Sequence, residues 1–449
     1  MNNNGRFRFL VAMAALGVVF AGCVAAPEPA LPSAPTTTDG PWARTFGGTG
    51  TDEFTAVALA ADGGLILVGG TDSPDGDFPP VQSEADAVLA KISPTGEASW
   101  AGTFGGTGAD RLVAVAVTPD GGIVAVGSTN SPDGDFPATH GEKNSDAVVV
   151  AFAADGTPDW AWTLGGSGYD EFAAVAVRPD GTLVVAGRTS SKDGDFPITH
   201  GGDSFDAVVA ELRPGGEIVW AKTYGGSGMD VFNAVALADD GGVVVAGTSA
   251  SSDGDFPLPD GRRGAGGVVA RLGAAGELEW KYQFGGAGSD SLNAVAVVGD
   301  AILVGGSVRS VGTAVASKHS DSADGVVIRL AADGTQTWAS VVGGSGTDEI
   351  LALAAVADTV VAVGYTDSED GDFPVRPGNQ VDALVVKIAA DGTPSWGKAY
   401  GGTGDDSLAG AAPSGGQVVA VGESGSADGS FPRSHSGGSD ALIVRPDAG

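Results

Sequence analysis

The sequence predicts an all-β protein, a seven-bladed β-propeller of four-stranded antiparallel blades whose ring is closed by an N-terminal strand pairing with the C-terminal three strands. Three observations predict it. Trp recurs at 42, 100, 160, 220, 280, 338 and 396, spaced by 58 or 60 residues, each opening a segment of the form Trp-x-x-x-Φ-Gly-Gly-x-Gly-x-Asp. Each period holds four short Val/Ala/Ile/Leu runs bounded by Gly, Asp and Pro clusters. The chain also enters on what would be the last strand of a unit, Trp42 to Phe46, and leaves on what would be the third, Asp440 to Arg445. A long, regular period means a propeller, a solenoid or an array, and only a closed ring gives a reason for splitting one repeat between the two ends.

The second unit shows the element order. Leu112 to Val117 alternates and stops at Pro119-Asp120-Gly121-Gly122, and Ile123 to Ser128 returns. A longer loop, Thr129 to Asn144, contains Ser131-Pro132-Asp133-Gly134-Asp135-Phe136-Pro137. Asp146 to Phe152 follows and turns at Ala154-Asp155-Gly156 into Trp160 to Leu164. Such runs between turn residues are strands, and Asp-Gly between two of them marks a tight hairpin. No stretch after the N-terminal segment carries a helical period. Four antiparallel strands, radially repeated, make a propeller blade.

Residues 1–22 read as a signal peptide: Arg6 and Arg8 precede an apolar core, Phe9 to Phe20, that is too short to span a bilayer. Phe20-Ala21-Gly22-Cys23 resembles the lipobox of bacterial lipoproteins, with Phe20 in place of the usual Leu. That resemblance implies acylation of Cys23 and, with Val24 following it, an outer-membrane address, periplasmic or surface-exposed. Residues 23–41 are rich in Pro and Thr and form a tether, and 42–449 is the propeller. Cys23 is the only cysteine, so stability must come from ring closure and blade packing rather than from a disulfide.

Acidic residues outnumber basic ones 56 to 23, a formal net charge of −33. This field repels nucleic acid and anionic head groups, which leaves the lipid anchor as the membrane contact and favours cations or basic surfaces.

The repeats resemble the seven-bladed propeller repeats of secreted and surface proteins of bacteria, through Gly165-Gly166-Ser167-Gly168-Tyr169-Asp170, Asp195-Phe196-Pro197 and Asp206-Ala207-Val208-Val209-Ala210-Glu211-Leu212. The match covers nearly everything after residue 41. It implies a fold and little about activity, because propellers host unrelated functions.

Blade topology puts the Gly-Gly-x-Gly-x-Asp links and the loops between strands two and three on one face. That face collects the link aspartates Asp52, Asp110, Asp170, Asp230, Asp290, Asp348 and Asp406, and the strand-three openers Asp86, Asp146, Asp206, Asp324, Asp382 and Asp440. The Asp-Gly-Asp-Phe-Pro loops add Asp75 and Asp77, Asp133 and Asp135, Asp193 and Asp195, Asp253 and Asp255, and Asp370 and Asp372. The expectation is a strongly acidic, long-looped binding face opposite a face of tight turns.

Asp72, Asp75, Asp77, Asp133, Asp135, Asp193, Asp195, Asp253, Asp255, Asp367, Asp370 and Asp372, clearest in the first and last of these loops, supply alternating carboxylates of the kind Ca²⁺ takes, so Ca²⁺ is an optional ligand and no cofactor is required. These loops lack a distal bidentate Glu, and Asp-Gly is also a plain turn dipeptide. The glycine link resembles the start of an RTX calcium repeat but recurs at the wrong period, so its Asp is assigned to backbone N–H groups. Phe78, Phe136, Phe196, Phe256, Phe373 and Phe431 read as wedges between blades.

The turn before each Trp resembles in spacing the Asp-box of sialidase propellers, without a clear arginine cluster or nucleophilic Tyr beside it. An active site needs unlike groups at one place and should break the repeat, yet most reactive residues recur once per blade. His140, His200 and His435 fall in corresponding loops and His319 in an irregular one. The repeat is broken in blade four by Arg262 and Arg263, and in blade five by Lys318, His319 and Asp321; these are the candidate partner contacts. The resulting expectation is a monomeric, non-catalytic scaffold that binds protein or glycan of the cell envelope. The alternatives are a polysaccharide- or peptidoglycan-modifying enzyme on the same face and a calcium-dependent adhesin.

Overall fold

The computed structural model describes residues 40–447 except 83, 138, 141–143, 197–199, 201–203, 259–263, 287, 311–318, 357, 374–376, 379, 432–434 and 436. Cys23, the tether before residue 40, Arg262, Arg263 and Lys318 lie outside the described residues.

The strands form seven four-stranded antiparallel sheets, each in sequence order within its blade. Blade one runs Asp52–Leu59, Leu65–Thr71, Asp86–Ile92 and Ala98–Phe104. The second unit follows the expected order, with strand one beginning at Asp110 and strand four at Pro158, each two residues earlier than the apolar pattern suggests. First strands pack against one another around the ring axis, and the Trp-bearing fourth strands lie outermost.

In blade one strand two is buried throughout and strand three at every residue but Lys91, because neighbouring blades cover both their faces. The apolar cores therefore sit between blades: one cluster joins Phe54, Leu67 and Phe78 of blade one to Val419, Val421 and Ile443 of blade seven. Phe78 and Phe196 sit in such inter-blade clusters, as the wedge reading expects, and each meets the first-strand Phe of its own blade edge-on, Phe78–Phe54 with ring centroids 5.9 Å apart.

Each first strand carries a one-residue bulge, at Thr55 in blade one. Extra residues of this kind reach the next blade: Thr55 donates its hydroxyl to the Leu112 carbonyl at 2.9 Å, and Asn233 and Asn293 donate to the Leu292 and Ile350 carbonyls at 3.0 Å.

Blade seven consists of Asp406–Ser414, Gln417–Ser424, Asp440–Arg445 and, as its outer strand, Trp42–Phe46. The closing pair is in register from Trp42↔Arg445 to Phe46↔Ala441.

Candidate functional site on the loop face

The link aspartates do not face solvent. Asp52 is fully buried, its Oδ2 accepting the Gly48 N–H at 2.9 Å and the Ser73 hydroxyl at 2.8 Å, while Oδ1 takes the Thr71 hydroxyl at 2.5 Å. Asp110, Asp170, Asp348 and Asp406 repeat this cage, Asp230 keeps only its Oδ2 bonds from the Gly226 N–H and the Ser251 hydroxyl, and Asp290 is buried with them. The strand-three openers Asp86, Asp146, Asp206, Asp324, Asp382 and Asp440 are also at most 1% exposed. This corrects the expected acidic face: thirteen of its carboxylates are interior. The reading of the link aspartate as an acceptor of backbone N–H bonds holds. Burial raises the pKa of Asp52, Asp86, Asp110, Asp146 and Asp170, and pushes Asp206 up to about 6.

Carboxylates of the Asp-Gly-Asp-Phe-Pro loops pin those loops to the links. Asp75 accepts the Thr49 N–H at 2.8 Å and Asp77 the Gly47 N–H at 3.1 Å. Asp133 and Asp135, Asp193 and Asp195, Asp253 and Asp255, and Asp370 and Asp372 do the same. Asp72 and Asp367 accept the Thr51 and Thr347 N–H groups. Gly76 sits at φ +100°, and a Cβ there would meet the Gly47 carbonyl oxygen at 1.9 Å, so the Asp-Gly step is set by backbone approach. Among the described residues no three His, Cys, Asp or Glu side chains are placed to hold a metal ion together.

The histidines occupy one equivalent position, between blades. His140 Nδ1 lies 2.6 Å from Asp146 of its own blade, and its Nε2 lies 3.8 Å from Asp195 of the next. His200 bridges Asp206 and Asp255, His319 bridges Asp324 and Asp372, and His435 bridges Asp440 and Asp77. His319 thus belongs with the other three. Asp321 is exposed nearby.

Unlike groups gather at a place that reading the repeat missed. The residue after each link aspartate is Glu53, Arg111, Glu171, Val231, Ser291, Glu349 and Ser407 in turn. Opposite these on strand two stand Gly70, Ser128, Arg188, Thr248, Ser307, Tyr365 and Glu423. Together they ring the axis at its loop-face end. The signal was available: this position varies between two conserved-looking repeat positions, the buried Asp and the apolar residue two places on.

The rim groups pair with each other. Arg111 meets Glu53 at 2.8 Å across the junction of blades one and two, and Arg188 meets Glu171 at 2.6 Å while lying 4.9 Å from the Phe205 ring centroid. Tyr365 donates its hydroxyl to Glu349 at 2.7 Å, and Asn293 and Ser439 donate to Glu349 and Glu423 at 2.7 Å. Burial raises the pKa of Glu53, offset by Arg111 and reinforced by the charge of Glu423. Burial and the hydrogen bond to Glu349 push the Tyr365 phenol above its usual range. A cavity of about 370 Å³ opens beside the Glu53–Arg111 pair, lined also by Thr51, Asp72, Asn130 and Ser145. Tyr169 and Met229, each preceding a link aspartate, are 52% and 41% exposed on the same face.

No family model matches the chain. The regulatory protein FlaEY of Caulobacter vibrioides is 23% identical over 385 residues, which is 82% of this chain and 35% of that protein, so the chain spans about a third of its relative's length. Among solved structures, BamB from Moraxella catarrhalis is 13% identical over 90% of this chain and 98% of its own, with a TM-score of 0.41. The WD40 β-propeller domain of Doa1 is 11% identical over 90% and 96%, with a TM-score of 0.49. Puromycin hydrolase is 14% identical over 83% and 50%, with a TM-score of 0.46. At these values none of them bears on what the rim recognises.

Proposed function

We propose that this seven-bladed propeller is a non-catalytic binding scaffold of the cell envelope, exported and held to a membrane through acylated Cys23, which recognises a protein or glycan at its loop-face rim. The observation that carries the reading is the rim itself. The residues that build every blade recur from blade to blade, whereas this position carries Glu, Arg, Glu, Val, Ser, Glu and Ser in turn, so its chemistry is not dictated by the repeated fold even where, as at Arg111–Glu53, it bridges two blades. Paired Glu and Arg side chains, amides and hydroxyls around a polar cavity suit a ligand rich in hydroxyl or amide groups.

One observation favours the enzymatic alternative. A phenol against a carboxylate, as in Tyr365 and Glu349, is the pairing a covalent glycosidase with a Tyr nucleophile would use. The upward shift of that phenol keeps it protonated, which suits a hydrogen-bond donor better than a nucleophile.

Affinity capture from envelope extract tests the proposal. Wild-type protein should retain a partner that the Arg111→Glu and Glu349→Gln variants lose while melting as wild type does. Capture unaffected by both substitutions would remove the rim from the proposal, and turnover of an envelope polysaccharide that disappears in Tyr365→Phe would replace it with the enzymatic reading.

A further inference from the structure

The opposite face, built from the turns between strands one and two and between three and four, holds a cavity of about 430 Å³ between blades two and three. Its meaning comes from comparing the repeats with each other. The sixth residue of strand three is Lys91, Ala151, Glu211, Arg271, Arg329, Lys387 and Arg445 in successive blades. It stands cross-strand from the repeat Trp, as in Lys91↔Trp100, Ala151↔Trp160, Arg271↔Trp280 and Arg445↔Trp42. Five blades therefore place a cation beside this indole, and blade two places a methyl group there.

In blades one and four the cation's side chain is largely covered and its head meets the aspartate of the turn after strand one. Lys91 Nζ lies 2.5 Å from Asp62, with the lysine side chain only 17% exposed. Arg271 pairs in the same way with Asp240, and the Arg445 guanidinium lies 5.6 Å from the Trp42 ring centroid. Arginines line the smaller cavities at corresponding junctions, Arg271 in one of about 110 Å³ and Arg329 in one of about 250 Å³. Blade three reverses the charge but still satisfies it, Glu211 being met by Arg178 at 3.3 Å.

Blade two has the aspartate without the cation. Asp120 takes the position of Asp62 and Asp240, accepts hydrogen bonds from the Thr118 hydroxyl and the Gly122 N–H within its own turn, and makes no ion pair among the described residues. The cavity opens where the missing stem would run, over Ala151 and Trp160, and Asp159 and Asp180 add two more carboxylates to its rim with no Lys or Arg among the lining residues. An eighth tryptophan, Trp162, holds the facing turn of blade three by donating to the Gly215 carbonyl at 3.0 Å. The Trp160 indole N–H makes no hydrogen bond among the described residues.

We propose that this cavity is a docking site for a lysine or arginine side chain of a protein partner, which supplies the cation that blade two lacks. The occupant follows from charge complementarity and from the chain's own example. A cation cross-strand from the repeat indole with its head at a carboxylate is what Lys91 and Arg271 already present, and an indole face adds attraction for the stem and the charge. The volume exceeds one side chain, so the residue beside the cation would pack against Pro119, Pro179 and Pro214.

The test is titration calorimetry of the full-length protein with an acetylated Pro-Arg-Pro amide, and with the same peptide carrying norleucine or Glu in place of Arg. The Arg peptide should bind, the other two should not, and the joint change Asp120→Asn with Asp180→Asn should weaken binding about tenfold, or about 1.4 kcal/mol. Ala151→Lys should abolish binding and raise the melting temperature, because the chain then fills the site itself. Arg111→Glu, on the far face, should leave binding unchanged, which separates this site from the rim. Equal binding of the norleucine peptide, binding that survives Ala151→Lys, or absence of binding by the Arg peptide at millimolar concentration would each overturn the proposal.

Discussion

Replacing Asp206 by Asn should stabilise the protein at pH 8. Asp206 is 1% exposed, and burial pushes its pKa up to about 6 from an ordinary 3.8, partly offset by the His200 amide and ring and reinforced by the charges of Asp230 and Asp255. Between those two values the native state holds more protons than the unfolded one, so this group's contribution to stability rises as pH falls from 6 towards 4. Above pH 6 both states are ionised and the full cost of holding the buried charge is present, about 3 kcal/mol for a shift of roughly two units.

Asn keeps the oxygen that accepts the His200 N–H. It also turns an N–H towards Asp230: Asp206 Oδ1 and Asp230 Oδ2 each lie 2.6 Å from the position a Cβ on Gly225 would take, and Asp206 Oδ1 makes no hydrogen bond among the described residues. With an unfolding entropy of about 2.1 cal/mol/K per residue over roughly 400 residues, 3 kcal/mol corresponds to about 3 to 4 °C. Melting of wild type and Asp206→Asn would be followed from pH 4.5 to 8. The variant should melt higher at pH 8, and the gap should be about halved by pH 5 and go on narrowing towards pH 4; a variant that melts lower at pH 8, or differs by a constant amount at every pH, would refute the reasoning.

Deleting residues 42–48 should expose the backbone edge of Asp440–Arg445 and drive self-association or leave a less stable fold, as read by light scattering and thermal melting against the intact protein. Cys23→Ser should move the protein from the membrane to the soluble fraction; retention on membranes would remove the anchor from the proposed function. Since Asp75 and Asp77 already accept link N–H groups, melting in millimolar Ca²⁺ should match melting in NaCl of equal ionic strength. A larger rise in Ca²⁺ that is lost when Asp75, Asp77, Asp370 and Asp372 become Asn would instead establish calcium sites in those loops.

The blade count, the strand order and the split blade were legible because Trp and the glycine links keep a fixed period and Asp-Gly turns mark the hairpins. Burial of the link aspartates was not, because the hydroxyls that satisfy Asp52 come from Thr71 and Ser73, about twenty positions away, and meet it only after strands one and two pair. The equivalence of His319 was hidden by the altered loop before it, and only its place between Asp324 and Asp372 reveals it. The rim escaped for a different reason: its residues differ from blade to blade, and a search for repeats discards what does not repeat.

Closing the ring with Trp42–Phe46 has a mechanical consequence. Fourth strands run from the turn face to the loop face, so the chain that precedes Trp42 departs from the turn face, at the outer corner of blade seven beside Arg445. A load applied through that upstream segment falls first on five residues held to their blade by backbone pairing. The same geometry puts the rim on the face opposite Trp42, across the height of the disc, roughly 20 Å for strands of this length. Tension that peeled this strand would open the ring at one seam while leaving the sheets of the other six blades intact.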